Sequence, residues 1–137
     1  MNIKIYNNDL PSDLDLSREK VVALDNEALG LVLGRDPLTL VQIGLKNNNF
    51  YLVKLNRETY EATNLKRFLS SSDTQFIMHY ARQDLLWLKY HLKVQPKNIF
   101  CTKVASKIAR TASSYHGYKD LVKELCGKDI SKKEQQS

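Results

Sequence analysis

Residues 21–31 read VVALDNEALGL, an apolar run that ends on the polar segment Asp25, Asn26 and Glu27. Its continuous, β-branched start predicts a strand near the centre of a sheet. Strand side chains alternate between two faces, so Asp25 and Glu27 are expected to point the same way. Two neighbouring carboxylates repel each other. This repulsion must be offset either by a divalent cation, which prefers oxygen ligands, or by solvent at the end of the strand.

The segments around this run predict an α/β fold, a mixed sheet with helices around it. Residues before Val21 are taken as a leader without an element, and Gly30–Pro37 as a loop. The remaining segments predict strands at 38–45, 50–55, 74–79 and 98–101, a hairpin turn at 47–49, and helices at 63–72, 81–92, 102–112 and 116–130. The first three strands are expected to be antiparallel and the later ones parallel.

Local patterns predict how two of the helices begin and pack. Thr63 or Asn64 is expected to be the N-cap of the first helix, and Thr102 that of the third. Val104 and Ile108 share one face of the third helix and are expected to lie in the core.

Composition bounds the class of protein. The chain has 137 residues, 42% of them apolar and 26% charged, which fits one globular domain. No apolar stretch approaches the ~18 residues that span a bilayer, and the N-terminus does not resemble a signal peptide. Cys101 and Cys126 are in no metal-binding spacing, so we expect buried, reduced thiols and a cytoplasmic location.

A formal net charge of +6 favours a polyanionic partner such as nucleic acid, although general solubility is the alternative. Lys103, Lys107 and Arg110 fall at i, i+4 and i+7, one face of a helix. Such a basic stripe can follow phosphates, or it can simply be solvated.

Three residues around the fourth predicted strand and the helix after it could carry chemistry. Asp84 lies in the first turn of the helix, where the helix dipole favours an acid even without a functional role. His79 ends the preceding strand and is either a general base or a hydrogen-bonded residue in a crowded turn. Arg82 is open between a phosphate contact and a surface ion pair.

Five stretches together resemble the DEDD 3′–5′ exonucleases, in their ribonuclease D-like branch and most closely the small alphaproteobacterial nanoRNase C group. They are ALDNEALGL (23–31), LVQIGL (40–45), FIMHYARQDLLWL (76–88), NIFCTKVASKIAR (98–110) and HGYKDLVKELCGKDISKKEQQS (116–137). The resemblance covers residues 3–137 and implies a ribonuclease H-like fold.

The resemblance also implies chemistry. It suggests hydrolysis of the 3′-terminal phosphodiester of short RNA or of other single-stranded ends by two Mg²⁺ or Mn²⁺ ions, releasing nucleoside 5′-monophosphates. The D-x-E motif maps onto Asp25 and Glu27 and the second motif onto Asp84, which makes these three the expected catalytic metal ligands. Leu29 and Leu31 fall where relatives support the terminal bases.

His79, Arg82, Lys103 and Lys107 complete the expected substrate contacts.

Departures from the family pattern qualify the expected activity. The third family motif, Tyr-x-x-x-Asp, is expected on a helix beyond residue 137, so we expect a truncated exonuclease domain over 1–137 that ends in a polar tail at 130–137. Impaired activity is therefore expected, and the alternative is an inactive remnant that binds nucleic acid or a partner. Uncovered apolar surface is expected to favour a homo-oligomer.

Overall fold

Six strands form one mixed sheet in the order β1-β4-β3-β2-β5-β6. The computed structural model describes residues 1–130, so the predicted polar tail lies, apart from Ile130, outside the described residues. The elements are β1 (Asn2–Asn7), β2 (Val21–Ala28), β3 (Leu38–Gly44), β4 (Asn49–Lys54), α1 (Thr63–Leu69), β5 (Gln75–Met78), α2 (Ala81–Leu92), β6 (Ile99–Cys101), α3 (Thr102–Ala109) and α4 (Tyr118–Cys126). The predicted α/β class is confirmed.

Strand directions follow the prediction for five of the six strands. β2 pairs antiparallel with β3, and β3 with β4, whereas β2–β5 and β5–β6 are parallel. The assignment of the first residues to a leader is wrong, because they form β1, parallel to β4. β1 is an edge strand, and its Ile3 and Ile5 are 52% and 60% exposed. An edge strand that buries so little gives a weak hydrophobic signal.

The core lies on one face of the sheet. Val22 and Leu24 alternate with exposed residues along β2 and are buried against the helical layer. α1 contributes Leu65 and Leu69 to this core, and α2 contributes Trp87, Leu88 and Leu92.

The opposite face carries a register row that crosses all six strands and is largely apolar. It consists of Ile3, Phe50, Gly44, Ala23, Ile77 and Phe100.

The helix caps differ from the local predictions. Ala62 holds the N-cap position of α1, and its side chain cannot accept a hydrogen bond. Asp9 supplies the acceptors instead, taking the backbone N–H groups of Asn64 at 2.9 Å and Leu65 at 2.8 Å. Thr102 is the first residue of α3 and not its cap. A cap supplied from a distant segment leaves no local sequence signal.

α3 and α4 form a small layer of their own. Val104 and Ile108 are 55% and 74% exposed, so their predicted core position is wrong: α3 packs beside β6, and Ser106 is its buried residue. Cys126 is exposed as well, contrary to prediction, whereas Cys101 is half-buried beside the core.

The side chain of Arg110 does not lie with Lys103 and Lys107 in the predicted basic stripe. It turns towards α4, where it pairs with Glu124 and donates to the carbonyl oxygen of Tyr115 at 3.0 Å. No helix in residues 1–130 is long and apolar enough to cross a membrane.

Candidate active site

Asp25 and Glu27 lie on the second half of β2, on the sheet face opposite the core. They stand across from Gln42 and Leu40 of β3, and the strand register shifts just after Glu27. β2 and β5 run parallel, so their carboxyl ends meet at one edge of the sheet. α2 begins there and carries Asp84 in its first turn. The fold therefore brings Asp84 together with two acids that precede it by 57 and 59 residues in sequence.

The three carboxylates interact directly. Burial, the adjacent Asp25 side chain and the charges of Asp25 and Glu27 raise the pKa of Asp84 well above its ordinary range. Burial and the charge of Asp25 raise the pKa of Glu27 to about 7. Without a counter-ion, the carboxyls cannot all ionise cheaply, and the cluster retains a proton.

Asn26 forms hydrogen bonds to both Asp25 and Asp84. Its Nδ2 donates to the backbone oxygen of Asp84 at 3.2 Å, and its backbone N–H donates to Asp25 Oδ1 at 2.9 Å. β2 and the start of α2 are thus tied together beside the acids.

The donor set fits a hard divalent cation in type and charge, since all its ligand atoms are carboxylate oxygens. Within residues 1–130, no group of three or more His, Cys, Asp or Glu side chains is arranged to hold an ion. Binding of one cation by all three acids would therefore require the carboxylates to turn towards it and the cluster to release its proton.

His79 lies beside the acids. Its Nδ1 is 2.9 Å from Thr102 Oγ1, which donates to the Met78 carbonyl oxygen at 3.3 Å. The hydroxyl therefore accepts from Nδ1–H, and Nε2 is the free acceptor of a neutral ring. Burial and the charge of Lys103 lower the pKa of His79, with Asp25 opposing them. Thr102, which was considered only as a cap, thus orients this ring.

Lys103 is held by an aromatic side chain that sequence reasoning missed. Its Nζ lies 4.1 Å from the ring centroid of Tyr80, within cation–π range. Tyr80 precedes α2 in a left-handed conformation, with φ 56°. The tertiary fold sets that conformation, and only the position of Tyr80 next to His79 could have drawn attention to it.

The other predicted substrate residues are more exposed. Leu29 and Leu31, in the loop after β2, are 63% and 81% exposed. Arg82 and Lys107 are also exposed, and within residues 1–130 no hydrogen bond or ion pair joins them to the acidic cluster. Asp25, Glu27, Asp84, His79 and Lys103 therefore lie together, and the catalytic and binding roles of all the predicted site residues stay predictions.

Comparison with known proteins relates the chain to nucleases. Residues 4–137 match the 3′–5′ exonuclease family. Ribonuclease D of Xanthomonas oryzae pv. oryzae is 29% identical over 129 residues, covering 94% of this chain and 35% of the relative. The chain thus spans about a third of that relative's length.

Two solved structures of Brucella melitensis NrnC match closely. NrnC with bound Mg²⁺ superposes with a TM-score of 0.89 at 35% identity, over all of this chain and 68% of that chain. NrnC bound to pGG gives 0.89 at 37% identity, over 96% and 64%. These superpositions confirm the predicted ribonuclease H-like architecture.

Proposed function

Since the chain belongs to the 3′–5′ exonuclease family, we propose that it hydrolyses the 3′-terminal phosphodiester of short, single-stranded RNA. The proposed products are nucleoside 5′-monophosphates, and the proposed cofactors are two Mg²⁺ or Mn²⁺ ions. The observation that carries the proposal is the cluster of Asp25, Glu27 and Asp84 at the carboxyl edge of parallel strands, where α/β proteins commonly bind ligands.

The acids provide the negative charge for such a site. When bound, divalent ions stabilise charge on the phosphate and lower the pKa of a bound water. Asp25 has the central role on the protein side, because it touches Asp84 and raises the pKa of Glu27. The Mg²⁺-bound NrnC structure supports this choice of cofactor.

Residues beside the acids suit a nucleic acid end. The Lys103 ammonium, held by Tyr80, can neutralise a phosphate, and the exposed Leu29 and Leu31 can contact bases. The net charge of +6 agrees with a polyanionic substrate, and the NrnC complex with pGG supports a short one. His79 Nε2 is free to accept a proton or a hydrogen bond at the same place.

A cleavage assay tests this function. A 5′-labelled pentaribonucleotide is incubated with the chain and Mn²⁺, with or without EDTA. We expect stepwise shortening from the 3′ end that EDTA stops and that D25N lowers about 100-fold or more; D73N, in an exposed loop, is the matched control. A folded wild type that yields no metal-dependent product would refute the catalytic proposal.

The second candidate is a binding protein without turnover. Lys103, held over the Tyr80 ring beside the acids, favours it, because a phosphate contact of this kind positions a nucleic acid without chemistry. It predicts metal-promoted binding of the same labelled oligonucleotide with no products after prolonged incubation. Binding that proves indifferent to both metal and D25N would count against it.

We also propose that the chain forms a homo-oligomer through the open face of the sheet. Ile3, Ile5 and Phe100 are 52%, 60% and 45% exposed there. A row of apolar side chains is self-complementary, so two copies can pair about a twofold axis. Light scattering should show a dimer or larger species that I5K dissociates and S72K, which adds the same charge in an exposed loop, does not. A monomeric wild type at high concentration would exclude this.

A further inference from the structure

The loop between β2 and β3 closes around one carboxylate. Asp36 is only 8% exposed, and its Oδ2 accepts the backbone N–H of Val32 at 2.9 Å. Arg35 grips both oxygens, with Nε donating to Oδ1 at 2.7 Å and Nη2 to Oδ2 at 2.8 Å. Gly30, at φ +155°, passes so close that a Cβ there would collide with the Asp36 carboxylate. The loop conformation therefore depends on Asp36.

The loop is also fixed to the body of the protein. The backbone N–H of Leu29 donates to the Pro37 carbonyl at 3.0 Å and closes the base of the loop. The loop also lies against α2, because a Cβ on Gly34 would be 3.4 Å from the hydroxyl oxygen of Tyr90. α2 also carries Asp84, so the loop and the acidic cluster share one support.

The side chains at the start of the loop are free while its backbone is held. Leu29 and Leu31 are 63% and 81% exposed, and they follow Glu27 of the acidic cluster by two and four residues. A rigid backbone that presents exposed apolar side chains lowers the entropy lost when a ligand binds them.

We propose that Asp36 is a positioning residue, which holds the Leu29–Pro37 loop in one shape so that Leu29 and Leu31 meet the bases of the substrate's 3′ end. This inference rests on the proposed function. The hydrogen bonds from Arg35 and Val32 lower the pKa of Asp36 to about 2, so the ionised carboxylate accepts these bonds at every working pH.

Binding and exchange measurements on four variants test the proposal. D36A removes the carboxylate, and D36N keeps an oxygen acceptor for the Val32 N–H. R35A removes only the two guanidinium hydrogen bonds to Asp36, and D73A is the matched control. The affinity for a fluorescein-labelled pentaribonucleotide is measured by anisotropy in Ca²⁺, and hydrogen exchange is measured at the Val32 amide. Turnover is measured on the same oligonucleotide and on bis(p-nitrophenyl) phosphate, which has no bases.

In D36A, we expect Kd and KM for the oligonucleotide to rise about tenfold, kcat to stay within about threefold, and Val32 to exchange faster. Hydrolysis of bis(p-nitrophenyl) phosphate should not change, and D36N should restore part of the affinity. If D36A fails to fold, D36N and R35A should show the same effects in reduced form.

The proposal is overturned if the Val32 amide exchanges at the wild-type rate in the folded variants, or if it exchanges faster while Kd and KM stay unchanged. An equal loss on both substrates would assign Asp36 to general stability and overturn it too. If the wild type neither binds nor cleaves the oligonucleotide, the proposed function fails and this inference fails with it. Wild-type binding with unchanged binding by D36A refutes the inference alone.

Discussion

Replacing Asp84 by asparagine should stabilise the metal-free protein at neutral pH while it damages the site. The amide introduced by D84N would keep a hydrogen-bond donor towards Asp25, as the protonated acid does, but would carry no ionisable proton. In the wild type, the pKa of Asp84 is raised above its ordinary value of 3.8 by burial and by Asp25. The folded chain therefore retains a proton that the unfolded chain releases.

The sign and size of the effect follow from proton linkage. A carboxyl with a raised folded pKa adds stability below its unfolded pKa, and this stability is lost as the pH rises towards the folded value. One proton changes the free energy of unfolding by about 1.4 kcal/mol per pH unit, or roughly 2.7 kcal/mol from pH 5 to 7. At about 0.3 kcal/mol per degree for a chain of this length, that is roughly 9 °C in Tm.

Two histidines oppose this trend, so the comparison must be made between variants. Burial lowers the pKa of His79 and His91, which makes the fold more stable as the pH rises towards 6.5. Both histidines remain in D84N, and the difference in Tm between D84N and wild type therefore isolates Asp84.

Thermal melts in EDTA from pH 5 to 7.5 provide the assay, with D73N as control. The Tm advantage of D84N over wild type should grow with pH by the amount above, and Mg²⁺ should raise the Tm of wild type but much less that of D84N. Parallel pH profiles for the two proteins, or a D84N that is less stable than wild type at pH 7 in EDTA, would show that Asp84 does not hold the proton.

Three further predictions concern the metal site, a helix cap and the cation–π contact. Because the pKa of Glu27 is raised to about 7, Mn²⁺ affinity measured by calorimetry should fall as the pH drops from 8 to 6, and E27Q should flatten this dependence. An equally steep pH profile in E27Q would contradict this prediction. D9A removes two hydrogen-bond acceptors from the N-terminus of α1 and should lower the free energy of unfolding in urea by about 0.5–2 kcal/mol, whereas D13A should change it little. Equal effects of D9A and D13A would disprove the cap by Asp9. Y80L should weaken oligonucleotide binding by about two- to fivefold, because Lys103 loses the aromatic ring that holds it, whereas Y80F should bind like wild type. Equal affinities of Y80L and Y80F would argue against the cation–π contact.

Periodicity carried the prediction where one local pattern settles the outcome. The continuous β-branched start of 21–28 predicted a strand, and the alternation of strand side chains then placed Asp25 and Glu27 on one face. The 3.6-residue spacing in 81–92 predicted a helix with the bounds that α2 has. Convergence of Asp84 with Asp25 required the parallel pairing of β2 and β5, which the order of elements implied.

Features that depend on distant contacts had no comparable signal. Asp9 caps a helix 55 residues away, and Asp36 is buried only because its loop folds back over Gly30. Ile108 was misplaced because amphipathic spacing identifies an apolar side of a helix but not whether the fold covers it, and α3 leaves that side exposed. The positions and burial of these residues are determined by tertiary packing, which cannot be read from a single sequence.

We propose that Asp25, Glu27 and Asp84 together hold a divalent metal ion. Anomalous diffraction from crystals of the chain soaked in Mn²⁺ can locate that ion. We expect anomalous density within coordination distance of all three carboxylates. Well-ordered crystals at saturating Mn²⁺ that show no anomalous density beside these acids would rule out the metal centre.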